Sequence, residues 1–284
     1  MLAPMTELMG RVAFVTGAAR GQGRAHALAL AEAGADLVIC DLADGADPSA
    51  PYALSTSADL EETAGAVRAL GRRCVAGVAD VTDEAALRAL VERAVAELGR
   101  LDAVVANAGI VGRPGPSWEL SEEDWDRVLA VNLKGVWLTC KVALPALLAA
   151  GGGSIVVISS IGGLKGQPGM AAYVAAKHGA IGLTRTIANE VGAAGVRVNA
   201  VCPGAVDTPM VTNQATLDLF SGAAAGEGTR ATLEAALAGQ VLLRPGFVAP
   251  ADVSAAVVWL TSDAARWVTG AVLPVDAGMA AKAA

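Results

Sequence analysis

A tyrosine and a lysine four residues apart, Tyr173 and Lys177 in "YVAAK", lie on a helical pattern and so share one face. A free phenol titrates near about 10, too high for a base at neutral pH. A nearby ammonium favours the phenolate, and such a phenol can take a proton from an alcohol or return it to a ketone. Ser160, just past the apolar run "SIVVIS", offers a hydroxyl to hold a substrate oxygen, with Ser159 as the competing serine. A second group is made of glycines. Gly17, Gly21 and Gly23 in "VTGAARGQG" separate an apolar run from an alanine-rich one. Glycine in regular structure costs about 0.5–1 kcal/mol relative to alanine, so three together mark a backbone that must turn tightly or be approached closely. A strand, a tight turn and a helix N-terminus make an anion site. Gly17 would let the chain turn, Gly21 would leave room for a pyrophosphate, and Gly23 would let helix and sheet approach. Asp41 ends the next apolar run, 20 residues after Gly21, where a carboxylate can bind a ribose hydroxyl pair. It would also repel a 2′-phosphate, favouring NAD over NADP. Arg20 argues the other way, because a basic residue in this loop can help to bind that phosphate.

The elements that must position these groups are short apolar runs alternating with amphipathic stretches. Strands are expected at "RVAFVT" from Arg11, "DLVIC" from Asp36, "RCVAGV" from Arg73, "DAVVAN" from Asp102, "SIVVIS" from Ser154, "VRVNAV" from Val196 and "AVLPVD" from Ala271. They are apolar nearly throughout, as strands covered on both faces are. Helices are expected at Gly23–Ala33, Asp59–Leu70, Asp83–Leu98, Ser121–Ala149, Ala172–Ala193 and Pro250–Thr261. Starts such as "TDEAAL" and "SEEDW" carry acidic residues in the first turn. Alternation of this kind implies parallel pairing with right-handed crossovers. The fold class is therefore α/β: a Rossmann-type, doubly wound parallel sheet of about seven strands with helices on both faces, residues 1–284 forming one domain. Two segments interrupt the alternation. Residues 42–57, "LADGADPSAPYALSTS", form a long loop after the second strand, and residues 211–243 contain two expected short helices and read as a flap.

Composition limits the alternatives. The chain of 284 residues is 54% hydrophobic and only 17% charged, enough to bury a large core with apolar surface left for an oligomer. Its net charge of −7, without long runs of one sign, argues against nucleic acid. The four cysteines (Cys40, Cys74, Cys140, Cys202) form no CxxC pair and read as reduced thiols of a cytoplasmic protein. The start "MLAPMTELMG" lacks a basic flank and an apolar stretch, so no signal peptide is expected. An uncharged run at residues 142–164 is long enough to suggest a membrane span, but Pro145 and Gly151–Gly153 are expected to break it. His26 and His178 have no metal partners at a recognisable spacing and read as structural. Trp118 and Trp125 read as packing residues.

The glycine spacing is GxxxGxG, and here the sequence resembles the short-chain dehydrogenase/reductase family over nearly its whole length. The motifs that carry this are "TGAARGQG" at Thr16, "ADV" at Ala79, "NAG" at Asn107, "VN" at Val131, "ISS" at Ile158, "YVAAK" at Tyr173, "VNAVCPGAVDT" at Val198 and "VDAG" at Val275. The resemblance implies a catalytic tetrad of Asn132, Ser160, Tyr173 and Lys177. Ser160 is preferred over Ser159 because its spacing to Tyr173 matches the family. Tyr173 would take the alcohol proton while hydride goes to the nicotinamide, and Asn132 would order a water linking the lysine to solvent. The implied cofactor contacts are Gly17, Arg20, Gly21, Gln22 and Gly23, then Asp41 and Leu42. Asp80 with Val81 would hold the adenine, and Asn107, Ala108 and Gly109 would line its ribose. Pro203, Gly204, Val206 and Thr208 would embrace the carboxamide, with Tyr173 and Lys177 at the nicotinamide end. No metal is implied. A homotetramer packed through the helices at 121–149 and 172–193 is.

Substrate contacts are expected from 110–118, 167–170 and the flap after Val206. These supply Ile, Val, Pro, Trp and Met with few charges, which suits a compact, mostly apolar secondary alcohol or ketone. The loop at 42–57, with "GAARGQGRAHALAL" and "AAYVAAKHGAIGL", looks like the carveol-dehydrogenase-like, mycofactocin-associated branch. That branch implies a tightly held NAD, re-oxidised in place by a separate carrier. An NADPH-dependent ketoreductase and a non-catalytic dinucleotide sensor remain the competing functions.

Overall fold

The computed structural model describes residues 7–42, 52–244 and 246–283. Residues 43–51, the middle of the expected 42–57 loop, lie outside the described residues. Seven strands form one parallel sheet: β1 (Val12–Thr16), β2 (Asp36–Asp41), β3 (Cys74–Val78), β4 (Ala103–Ala106), β5 (Gly153–Ile158), β6 (Val196–Pro203) and β7 (Val272–Val275). Their order is β3-β2-β1-β4-β5-β6-β7, so the winding reverses between β1 and β4. Val15 is the register partner of both Ile39 on β2 and Val105 on β4. In open α/β sheets ligands bind beyond the carboxyl ends of the strands at such a reversal.

The α-helices among the described residues are α1 (Gly21–Glu32), α2 (Ser57–Ala69), α3 (Glu84–Leu98), α4 (Glu122–Leu129), α5 (Gly135–Ala149), α6 (Ala171–Val191), α7 (Pro209–Thr212), α8 (Gln214–Ser221), α9 (Arg230–Ala238) and α10 (Pro250–Thr261). Alternation along each strand sorts the core into two layers. Val12 and Phe14 of β1 pack with residues of α3, α5 and α6, whereas Ala13 and Val15 pack with α1, α2 and α10. The five inner strands are buried on both faces and apolar nearly throughout, whereas the edge strands β3 and β7 are only partly buried.

The expected single helix at 121–149 is interrupted. Between α4 and α5 the backbone widens into a π-turn, Ala130–Lys134, where the Gly135 N–H donates to the Ala130 carbonyl. Gly135 is needed there because a Cβ would stand 2.7 Å from Val81 Cγ2. Single π-turns inside α-helices often mark functional positions, and this one carries Asn132. Nor does Pro145 break the apolar run: it sits inside α5, held by the buried Val142, Ala143 and Leu147. The break falls at Gly151 and Gly152, whose φ values of 85° and 136° turn the chain into β5. The flap contains the two expected short helices, α8 and α9, and the four-residue α7 leads into it. They share a small core of their own, in which Leu217, Leu233, Leu237 and Val241 meet Ile161 and Met279.

Candidate active site

The glycine loop joins β1 to α1 at the reversal point. Gly17 (φ 67°) packs so close to the turn after β4 that a Cβ would lie 2.8 Å from Ala108 Cα. At Gly23 a Cβ would collide with the Gly17 carbonyl oxygen. Asn107 braces this turn, donating from Nδ2 to the carbonyls of Thr16 (2.9 Å) and Gly17 (3.2 Å). Its side chain therefore holds the loop, although the residue still lines the cleft. No side chain among the described residues caps α1, and its first turn carries no acid. By contrast α2, α3, α4 and α9 are capped by Thr56, Asp83, Ser121 and Thr229. An uncapped N-terminus over a glycine-lined cleft presents N–H groups and the positive end of the helix dipole to an anion.

At the far end of the cleft Asp41 accepts hydrogen bonds from Ala19 N (2.9 Å), Leu42 N (2.8 Å) and Ser55 Oγ (2.6 Å). Arg20, flagged in the sequence as a phosphate ligand, is engaged elsewhere. Its guanidinium donates to the Ala53 carbonyl and lies 5.9 Å over the Tyr52 ring. Asp80 accepts from Thr82 N (2.8 Å) and faces Arg127 at 3.7 Å, a neighbour that sequence motifs did not reveal. Gly17, Arg20, Gly21, Gln22, Gly23, Asp41, Leu42, Asp80, Val81, Asn107, Ala108, Gly109 and Thr208 all line this one cleft. Pro203, Gly204 and Val206 line the adjoining chamber instead. The donor set fits a dinucleotide. Free helix N–H groups await phosphates, a carboxylate awaits a ribose, and glycines stand where side chains would obstruct. Among the described residues no three His, Cys, Asp or Glu side chains gather in a way that could hold a metal ion.

The tetrad residues converge at the other end. Tyr173 and Lys177 stack on one face of α6, both buried, with Nζ 5.6 Å from the phenol ring centroid. Lys177 Nζ donates to the Ile158 carbonyl at 2.9 Å. Asn132 is buried, its Oδ1 accepting from Ile110 N (2.9 Å) and its Nδ2 donating to Ile110 O (2.7 Å). A Cβ at Gly109 would stand 2.6 Å from Asn132 Oδ1 and 3.5 Å from Lys177 Nζ, so Asn132 and Lys177 meet at that glycine. The two serines separate in role. Ser160 hydrogen-bonds the Tyr173 phenol and accepts from Gly162 N, whereas Ser159 Oγ donates to the Lys177 carbonyl and pins α6.

Electrostatics modify the expected activation of the phenol. Burial is the largest influence on Tyr173 and raises it above its ordinary value, while the bond with Ser160 opposes that rise. Burial also lowers Lys177 to about 8. A desolvated pair of this kind needs an added positive charge in the cleft to favour the phenolate.

Beyond Tyr173 lies the substrate-sized chamber. Its walls include Val111, Gln167, Met170, Val206, Met210, Phe220, Leu233, Leu237 and Met279, and none of the described residues that line it is charged. The three expected segments each contribute. Trp118 does not: it is 82% exposed and neither packs nor lines the site. Met279 was not foreseen. The turn after β7 places it, with Asp276 accepting from Gly278 N and Ala280 N and Lys165 Nζ donating to the Met279 carbonyl. His26 is structural: Nδ1 meets Ser254 Oγ at 2.8 Å, and burial lowers the ring to about 3.

The profile of a family described as Enoyl-(Acyl carrier protein) reductase matches residues 17–280. A short-chain type dehydrogenase/reductase of Mycolicibacterium smegmatis is 47% identical over 95% of this chain and 96% of the relative. The (-)-trans-carveol dehydrogenase of Rhodococcus erythropolis is 45% identical over 98% of this chain and 100% of its own. The crystal structure of carveol dehydrogenase from Mycobacterium avium in complex with NAD superposes with a TM-score of 0.94 at 44% identity, covering 97% of this chain and 99% of that one. With this likeness running from the glycine loop to the C-terminal turn, the chain belongs to the short-chain dehydrogenase/reductase family.

Proposed function

We propose that this protein is an NAD-dependent alcohol dehydrogenase that interconverts a compact, uncharged secondary alcohol, cyclic or terpene-like, and its ketone. One observation carries the reading: Tyr173 borders both the dinucleotide cleft and the apolar chamber. When bound, NAD supplies the hydride acceptor and a positive ring. Ser160 holds the substrate oxygen, and Tyr173 removes the carbinol proton as hydride leaves the carbon. Lys177 supports the phenolate, and Asn132 fixes the backbone beside it. In the reverse direction Tyr173 is the acid. The preference for NAD follows from Asp41 at the ribose end and from Arg20 being engaged with Ala53. Tyr173→Phe is expected to lower kcat by about 10³-fold or more while leaving the dinucleotide Kd within a few-fold. Binding lost together with turnover would point to a structural role instead. A substrate panel of cyclic and terpene alcohols narrows the substrate.

The likeness to carveol dehydrogenases extends the proposal. NAD is held tightly beside Tyr52, Leu54 and Ser55 and re-oxidised in place by a mycofactocin-type carrier. The ties of Ser55 to Asp41 and of Arg20 to Ala53 support that reading. Desalted protein should retain nicotinamide and turn over with artificial electron acceptors. The active form is a cytoplasmic homotetramer packed through α4–α5 and α6, on which Trp137 and Leu148 are exposed in the single chain. A monomer in light scattering would end that assignment.

A further inference from the structure

Gln22 carries an unexplained polar atom. It is the second residue of α1 and lines both the dinucleotide cleft and the apolar chamber. Its Oε1 is buried and has no hydrogen-bond partner among the described residues. A buried acceptor left unmade is costly, so such an atom in a native fold calls for a reason. The side chains that share its wall between the two cavities are directed elsewhere. Thr208, also shared by cleft and chamber, gives its hydroxyl proton to the Val206 carbonyl at 3.3 Å. The Tyr173 phenol is engaged with Ser160, and Met210 has no N–H or O–H on its side chain.

The position identifies the missing donor. Among the described residues only Gln22, Ser159, Tyr173, Thr208 and Met210 border both cavities, so they surround the place where cofactor and substrate meet. Gly21 already packs on Thr208, a Cβ there lying 3.5 Å from Thr208 Cγ2, which sets α1 against the β6–α7 segment. The alcohol brings one O–H, and Tyr173 and Ser160 claim it. The remaining polar hydrogens at that end of NAD, apart from the ribose hydroxyls, are on the carboxamide NH2. Resting on the reading of the cleft as an NAD site, we infer that Gln22 is a positioning residue whose carboxamide oxygen accepts a hydrogen bond from the nicotinamide NH2. Rotation about the soft terminal side-chain torsion turns Oε1 from the wall to the ligand. The bond fixes the rotation of the carboxamide, and hence the ring beside Tyr173, at a position where an aliphatic side chain would give shape alone.

The test compares NAD with 3-acetylpyridine adenine dinucleotide, which has a methyl group in place of the NH2. Calorimetric titration of refolded protein, stripped of any retained nucleotide, gives both Kd values for wild type, Gln22→Met and Gln22→Glu. Wild type should prefer NAD, and Gln22→Met should cut that preference by about fivefold, through weaker NAD binding alone. Gln22→Glu keeps an acceptor and should keep the preference, even if its charge weakens both ligands. An unchanged preference in Gln22→Met, an equal loss for both ligands, or no preference in wild type overturns the assignment. Failure of wild type to bind either dinucleotide overturns the reading of the cleft itself.

Discussion

The cleft and the chamber meet at Tyr173 but are built from different materials. The cleft is backbone: strand ends, the uncapped start of α1 and glycines that admit no Cβ. The chamber is side chain: Leu233, Leu237 and Phe220 from the flap, Met170 ahead of α6 and Met279 from the C-terminal turn. Backbone geometry tolerates almost no substitution. A wall of aliphatic side chains can be recut while the fold survives. A cofactor common to many chemistries suits the first kind of site, and a substrate particular to one protein suits the second.

Gly23→Ala would break this contrast most severely. Its Cβ meets the Gly17 carbonyl oxygen, which belongs to the same tight turn and is held by Asn107. Dinucleotide affinity should fall by about 10²-fold or more, with thermal stability lowered as in other overpacked sites. Calorimetry and thermal unfolding measure the two. A variant that binds normally would mean the loop has slack that its geometry denies.

The same division explains how much the sequence revealed. A glycine at a positive φ, an acid at a strand end, and a tyrosine and lysine one turn apart are local features, so GxxxGxG, Asp41 and Tyr173/Lys177 could be read directly. The five inner strands were legible because burial on both faces makes them apolar nearly throughout, and the half-exposed edge strands β3 and β7 because they are short apolar runs in the same alternation. The π-turn at Ala130–Lys134 was not, since one additional residue in a helix leaves the apolar pattern nearly intact. The placement of Met279 was not legible either. It depends on Asp276 and Lys165, and the partnership of Lys165 with the C-terminal turn exists only in three dimensions. The fixation of Arg20 at Ala53 is equally invisible to a motif, which records the charge but not its partner.

Tyr173 links the two regions, and its protonation offers the next test. It must be deprotonated to accept the carbinol proton and protonated to return it. Oxidation should therefore accelerate as pH rises, by up to about tenfold per unit on its limb, while reduction slows over the same range. Lys177→Met removes the ammonium that favours the phenolate, so the oxidative limb should move to higher pH. Initial rates in both directions check this, and a flat oxidative profile would remove Tyr173 as the base.

A smaller effect separates chamber from cleft. Leu233 is fully buried in the flap's own core, apart from the two cores that flank the sheet. Leu233→Ala should loosen the chamber and lower kcat/KM for a compact alcohol by about tenfold, in keeping with about 2–5 kcal/mol for removing a buried leucine from a packed cluster. The dinucleotide Kd should stay within about twofold, because none of the buried residues of that core lines the cleft. Steady-state kinetics paired with calorimetry decide the matter, and a parallel loss of dinucleotide binding would show that flap and cleft fold as one unit.

The finest test returns to the adenosine end, where the cleft too relies on a side chain. The Ser55 hydroxyl is buried and donates to Asp41 Oδ1 at 2.6 Å, across 14 residues of chain. Ser55→Ala leaves that oxygen its bond from Leu42 N and releases one tie between Ser55 and the ribose acceptor. A hydrogen bond to a charged group contributes more than a neutral one, but Asp41 keeps its bond from Ala19 N, so the carboxylate stays in place. NAD release should therefore quicken by about threefold to fivefold, with kcat at saturating alcohol unchanged when an artificial acceptor re-oxidises the bound cofactor. Stopped-flow release of NADH fluorescence reads the rate. Unchanged release would mean that Ser55 borders the adenosine without holding it, and the cleft would then be a backbone site along its whole length.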